Sequence, residues 1–374
     1  MAVYTHQLKH WPGFVWDHEK IGPGLAAVRY QQGRLLGRME GMGLPFQAGV
    51  HLDTLTREVL SSSELDGQVL DAAGVRLSVT RALGMGKESP VLADPAIEGM
   101  VGIVVDATQN YAVPVTNERL FGWAAALLPL DHSGTLGVDG YRVGVSADAT
   151  QGGAGLFQGA AGAGGGKKVH FQAPDSQRLE QEMTKLLRWF NRIGSLDPVI
   201  KAAITHLLFT TLHPFDKSNG RITRAMTEMQ LTRADLGARR CYSLSARMRS
   251  ERDAYHRILE HAALLLPDIT EWLEWFITCL GHAIADAQGA LAGGLQKSRF
   301  WEKHLSASIN ARQRAMLNRL LDGLEGPLTS SGWARMANCS QDTAGRDINE
   351  LVELGILAKG VAGGRSTRYV LVGE

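Results

Sequence analysis

The sequence predicts a mainly α protein: a helical bundle carrying a short β-hairpin flap, followed by a separate C-terminal module of three helices and a hairpin. Three observations predict it. Apolar residues recur at three-to-four spacing along most of the chain. A turn-rich stretch, HPFDKSNGR (213–221), sits between two such runs. After about residue 300 the pattern changes to short helical periods ending in a glycine-bearing hairpin. With 374 residues, 44% apolar and 21% charged, the chain can bury cores for two or three domains. We place them at 1–98, 99–300 and 301–374.

The remaining composition excludes several classes. A net charge of +1 gives no global pull toward nucleic acid or membrane. Three dispersed cysteines, Cys241, Cys279 and Cys339, form no CxxC pair, so neither a disulfide framework nor a zinc site is expected. MAVYTHQLKHWPGF shows no basic-then-apolar leader, and no apolar run approaches the roughly 20 residues of a membrane span. A cytoplasmic protein is the expectation.

In chain order, 17–40 and 47–60 read as amphipathic helices, the second through Leu52, Leu55, Val59 and Leu60. Residues 100–118 open with a β-branched run that reads as a short strand or loop, and a helix capped by Thr116 follows. Eight glycines in the fifteen residues 152–166 read as a surface loop. It is no Walker loop, because Ala161 stands where glycine is needed and Lys168 where Ser or Thr would follow Lys167. KKVHFQAP (167–174) then alternates as a hairpin strand ending at Pro174.

Pro198 to Leu212 reads as an apolar-faced helix that Pro214 stops, and from Arg221 onward a second amphipathic helix begins. A tight loop entering a helix aims backbone N–H groups at whatever lies above it, and Arg221 and Arg224 add forked donors. His213 on the same loop has an unperturbed pKa suited to taking a proton from a hydroxyl. The alternative is a buried helix-capping histidine with solvated arginines. The concentration of His, Asn, Gly and two Arg in twelve residues favours an anion site beside a base.

At these residues the sequence resembles the Fic family, whose motif runs His-Pro-Phe-x-Asp/Glu-Gly-Asn-Gly-Arg-x-x-Arg. His213, Pro214, Phe215, Asn219, Gly220, Arg221 and Arg224 match. The resemblance implies a Fic-type helical bundle and a protein adenylyltransferase moving AMP from ATP to a Ser, Thr or Tyr hydroxyl of a target protein or of itself. His213 would be the base. Phe215, Lys217, Ser218, Asn219, Gly220, Arg221 and Arg224 would line the nucleotide, with Asn219, Gly220 and Arg221 on the α and β phosphates and Arg224 on the γ phosphate. GIVVDATQNYAVPVTNERLFGW, VHFQAP and DITEWLEWF are also similar to family segments, and the VHFQAP flap would pair with an extended target segment.

Two departures bear on mechanism. The family acid that holds Mg²⁺ on the phosphates is Lys217 here, and the glycine after it is Ser218. An ammonium cannot ligate a metal, so no metal ligand is assigned, and Lys217 is expected to act as a point charge on the phosphates. HLDTLTREVLSSSELDGQVL (51–70) resembles the family's inhibitory helix, Ser/Thr-x-x-x-Glu-Gly, with Ser62 and Gly67 matching and Asp66 in place of Glu. The resemblance implies an acid paired with Arg224, and the shorter side chain predicts looser inhibition. The alternative is that Asp66 and the preceding serines only cap a helix.

Residues 305–374 resemble a winged helix, with Ser340 capping its third helix and Gly363 and Gly364 making the wing turn. Eight basic residues stand against seven acidic ones there, and the recognition helix sets Arg346 against Asp342, Asp347, Glu350 and Glu353. Contact with protein, or packing against the Fic core, is expected over DNA. Exposed helices of the N-terminal layer allow a homodimer. Three functional classes stay open at the level of sequence: an AMP transferase, a scaffold that binds nucleotide without turnover, and a winged-helix regulator.

Overall fold

The computed structural model of the chain describes residues 12–86, 94–128, 140–141, 174, 176–264, 267–305, 307–324, 327–360 and 367–372. The chain is mainly helical and divides into two compact units, 1–287 and 288–374. The glycine-rich loop, the VHF and QA of the expected flap strand, and the wing-turn glycines Gly363 and Gly364 lie outside the described residues. Among the described residues no helix is long and apolar enough to cross a membrane.

In the first unit α1 (His18–Glu40) starts on the Asp17 carboxylate, which accepts from the N–H groups of Glu19 and Lys20. α2 (Leu44–Leu65) buries His51, Leu55, Glu58, Val59 and Ser61 to Ser63, and runs five residues beyond the predicted span. α3 (Ala72–Ala82) leads to α4 (Pro95–Gln109) and α5 (Asn117–Ala126).

α4 corrects the expected strand or loop at 100–118. Asp94 caps the helix, Pro95 stands in its first turn, and Ile97, Met100, Val101, Ile103, Val104 and Ala107 are all buried. Its outward stripe holds Gly102 and the half-buried Val105, so the run MVGIVV is apolar without a break and fits a buried strand as well as a helix. A side chain at Gly99 would put its Cβ 1.9 Å from the Ala126 carbonyl oxygen, so only glycine permits the approach of α5. Thr116 does cap α5, its Oγ1 accepting from the Arg119 N–H at 3.3 Å.

α6 (Ser176–Asn191) precedes the central pair, α7 (Pro198–Leu212) and α8 (Asn219–Asp235), which form the core. Every residue from Ala202 to Leu212 and from Ile222 to Thr232 is buried. The buried threonines return their hydroxyls to the carbonyl four residues earlier, Thr205 to Lys201, Thr211 to Leu207, Thr227 to Thr223 and Thr232 to Glu228. α9 (Leu244–Ser250), α10 (Arg252–Leu264) and α11 (Thr270–Lys303) complete the layer around this pair.

The second unit holds α12 (Ala311–Leu321), α13 (Ser330–Met336) and α14 (Gln341–Glu353), then antiparallel strands β1 (Leu357–Lys359) and β2 (Tyr369–Leu371) in the register Ala358 opposite Val370. Met316, Leu317, Trp333, Ile348, Leu351 and Leu357 form its core. Ser340 caps α14 by accepting from the Thr343 N–H at 3.2 Å. Asp347 of α14 is buried and takes a forked pair from Arg312 at 2.5 and 2.8 Å, so one of the helix's acids faces inward.

Candidate functional site

The loop between α7 and α8 is held in an uncommon shape. His213 ends α7 in the left-handed region (φ 46°, ψ 58°), its N–H still bonded to Phe209 O at 3.0 Å. Ser218 precedes α8 in the same region (φ 67°). That conformation costs a non-glycine residue about 1 kcal/mol, and it is the position where the family motif has glycine. Strain of this kind persists where the surroundings impose it.

Two residues of the motif impose it. Phe215 is 4% exposed, its ring packed between Phe209, Phe121 and Tyr141 with centroids 6.5, 6.3 and 5.8 Å away. Asn219 is equally buried and brackets Phe215: its Oδ1 accepts from the Phe215 N–H at 3.0 Å and its Nδ2 donates to the Phe215 carbonyl at 2.5 Å. Both side chains were expected at a nucleotide. Both are spent on the shape of the loop.

α8 starts at Asn219, two residues before the predicted position, so Asn219, Gly220 and Arg221 form its first turn. The first intrahelical bond runs from the Ile222 N–H to Ser218 O, and the three preceding N–H groups lie at the positive end of the helix dipole.

A carboxylate lies against this turn. Asp66 Oδ1 is 2.9 Å from Arg224 Nη2 and Oδ2 is 3.4 Å from Arg221 Nε. Were Gly220 given a Cβ, that atom would stand 2.8 Å from Asp66 Oδ1, so the missing side chain is what admits the acid. The shorter aspartate therefore reaches both arginines. Ser62 completes the clamp on Arg224: its hydroxyl accepts from Nε and its carbonyl from Nη2, each at 2.7 Å. Burial works against the charge of Arg224, yet Asp66 beside it holds the guanidinium above its usual range. Arg221 is shifted down, by burial and by Arg224, with Asp66 opposing.

The backbone around Asp66 explains its placement. Gly67 sits at φ 81°, its N–H bonds to Glu64 O, and the Gln68 N–H reaches back to Ser63 O, a Schellman closure of α2. Glu58, two turns earlier, accepts from Ser243 Oγ at 2.6 Å, from the Ser245 N–H at 3.2 Å and from Ser245 Oγ. Glu64 pairs with Arg249, and Arg252 donates to Leu65 O at 3.3 Å. α2 is thus fastened to α9 and α10 at the end that carries the acid.

Sequence reasoning missed Gln68, whose Oε1 accepts from Arg221 Nη1 at 2.9 Å. Its place two residues after Asp66, in a segment already read as inhibitory, was the available signal. Lys217 is exposed, and no hydrogen bond or ion pair joins it to a described residue. Its neighbour Asp216 is exposed as well. Among the described residues no three His, Cys, Asp or Glu side chains gather to hold a metal.

The Fic/DOC family profile matches residues 143–231, and a domain of unknown function, DUF4172, matches 4–85, the stretch that carries α1, α2 and Asp66. Among similar solved structures, a Fic family protein from Desulfovibrio desulfuricans has a TM-score of 0.52 at 19% identity, covering 98% of this chain and 99% of its own. A Fic domain-containing signaling protein from Bacteroides thetaiotaomicron (TM-score 0.47, 17% identity, 71% and 98% covered) and Fic-1 from C. elegans (0.46, 14%, 73% and 74%) also align. The chain has the Fic fold, and its residues 143–231, which hold the HPFDKSNGR loop near their end, match the Fic/DOC family profile.

Proposed function

We propose that the protein is an adenylyltransferase that moves AMP from ATP to a hydroxyl side chain of a target protein or of itself, held off by the Asp66 segment. The observation that carries this reading is the carboxylate seated against the first turn of α8, between two guanidiniums. An acid there occupies ground suited to a phosphate. When α2 withdraws, the N–H groups of Gly220 and Arg221 and the forks of Arg221 and Arg224 face a triphosphate instead. His213, at the other end of the same loop, takes the proton as the target oxygen attacks the α phosphorus, and pyrophosphate leaves.

The donor set does not fit a divalent ion at the motif's acid position. Lys217 presents an ammonium, which repels a cation, and the adjacent Asp216 is a single exposed carboxylate. Lys217 is free to swing onto the phosphates as a point charge, doing part of what a metal does elsewhere.

Labelling with α-labelled ATP tests the reading. Asp66→Gly should incorporate label well above the native protein, and adding His213→Ala should lower incorporation by roughly 10²–10⁴-fold, the usual worth of a positioned base. If Asp66→Gly binds ATP but His213→Ala changes nothing, the site is a nucleotide scaffold without turnover.

A further inference from the structure

Ser218 stands where the family motif has glycine, and its hydroxyl makes a contact that glycine cannot. It is the residue before α8, where a serine ordinarily takes an extended backbone and turns its oxygen back onto the N–H of the second or third helical residue. Here it does not. Its backbone is left-handed (φ 67°, ψ 10°), and its side chain makes no capping bond to the helix. The oxygen accepts instead from Arg221 Nη2 at 2.9 Å.

Two consequences follow for a ligand at this turn. The N–H groups of Gly220 and Arg221, which a capping serine would have engaged, are left for an anion. The guanidinium of Arg221 is tied along one edge to its own loop. Its other contacts come from the inhibitory segment: Nη1 donates to Gln68 Oε1 at 2.9 Å, and Nε lies 3.4 Å from Asp66 Oδ2. Withdrawal of that segment takes Gln68 and Asp66 away together. Ser218 stays, because it lies only three residues before Arg221 at the start of the same helix.

We infer that Ser218 is a positioning residue, whose hydroxyl holds Arg221 over the first turn of α8 once the inhibitory segment has left and so sets how tightly the α and β phosphates are gripped. An arginine that closes on a ligand loses rotamer freedom, and one already fixed at Nη2 has less to lose. Nη1 and Nε keep their donors for the phosphates. The left-handed backbone is the strain that accompanies this arrangement. Glycine would bear that conformation more easily, so what serine contributes there is the reach of its side chain to Arg221.

The inference rests on the nucleotide reading above, and the test separates the two. The starting protein carries Asp66→Gly and Gln68→Ala, which remove both of the inhibitory segment's contacts to Arg221. Calorimetry then measures ATP and ADP affinities with Ser218 present, with Ser218→Ala and with Ser218→Gly, alongside each melting temperature. Both substitutions remove the hydroxyl, but only glycine relieves the backbone, so Ser218→Gly should melt above Ser218→Ala. The expected result is an affinity about five-fold lower in both variants, the scale of one hydrogen bond or one fixed side chain. ATP and ADP should lose equally, since both carry the α and β phosphates. Affinity that follows the melting temperature, kept in Ser218→Gly and lost in Ser218→Ala, would mark Ser218 as structural only and overturn the inference. Unchanged affinity in both would overturn it too. Adding Arg221→Ala should abolish the effect of Ser218→Ala, because the hydroxyl acts through that guanidinium, and an effect of equal size without Arg221 would count against the inference in the same way. Failure of the starting protein to bind either nucleotide with Ser218 intact would instead sink the nucleotide reading, and this inference with it.

Discussion

In the proposed reaction Lys217 is the residue on which the use of a metal turns. A carboxylate at that position would draw a divalent cation to the phosphates, whereas an ammonium brings its own positive charge. AMP transfer by the native protein should therefore vary little with Mg²⁺ concentration, and Lys217→Asp should become Mg²⁺-dependent. A titration of transfer against Mg²⁺ checks both, and strong dependence in the native protein would contradict the assignment. His206 makes a second prediction, for stability. Complete burial holds its folded pKa at about 3, below the unfolded value of about 6.5. Between these values the unfolded chain binds a proton that the native state refuses, so stability falls as pH drops from about 6.5 toward 3. The contribution of this one group is about 1.4 kcal/mol per pH unit. Urea unfolding at neutral and mildly acidic pH should show that slope reduced in His206→Gln. His213, Asn219, Gly220 and both arginines could be picked out from nine contiguous letters and one more turn. The buried hydrogen bond between Tyr255 and His206 could not, because 49 residues separate the two in the chain and only the packing of α10 on α7 joins them.

Among the elements, α2 carries the proposed control. Its C-terminal closure needs a left-handed residue at Gly67, and its acid needs the bare Cα of Gly220. Gly67→Ala should cost about 1 kcal/mol in urea unfolding and raise AMP transfer, since the carboxylate of Asp66 would no longer be delivered squarely. An unaltered transfer rate with the stability loss intact would detach the helix end from regulation. α4 gives a purely structural counterpart. Gly99→Ala drives a Cβ into the Ala126 carbonyl, and overpacking of a buried contact costs about 1–3 kcal/mol or more. The periodic helices 17–40 and 198–212 could be read from spacing because each has a solvent face or a proline boundary. α4 could not, because Gly102 and Val105 stand on its outward stripe where polar residues would mark an amphipathic helix.

Over the whole molecule, the two units have separate cores, and the second encloses Trp333, Ile348 and Leu351 within 87 residues. Residues 288–374 expressed alone should therefore melt cooperatively, as calorimetry can verify. The same fragment should give no salt-dependent DNA shift: Asp342, Glu350 and Glu353 accompany Arg346 along α14, while Arg312 is already engaged by Asp347. A shift that weakens with salt would reverse that view. From its letters alone the chain disclosed its helical class, the loop that bears His213 and the two arginines, and an acidic segment far upstream. These are local matters, set by spacing, by proline and glycine, and by side-chain type. Which acid meets which arginine was decided by the fold. A carboxylate and a guanidinium 158 residues apart share a site only after α2, fastened through Glu58 and Glu64, is laid against the start of α8. Burial of Arg224 then removes the water on its side of the pair and strengthens the attraction of their charges.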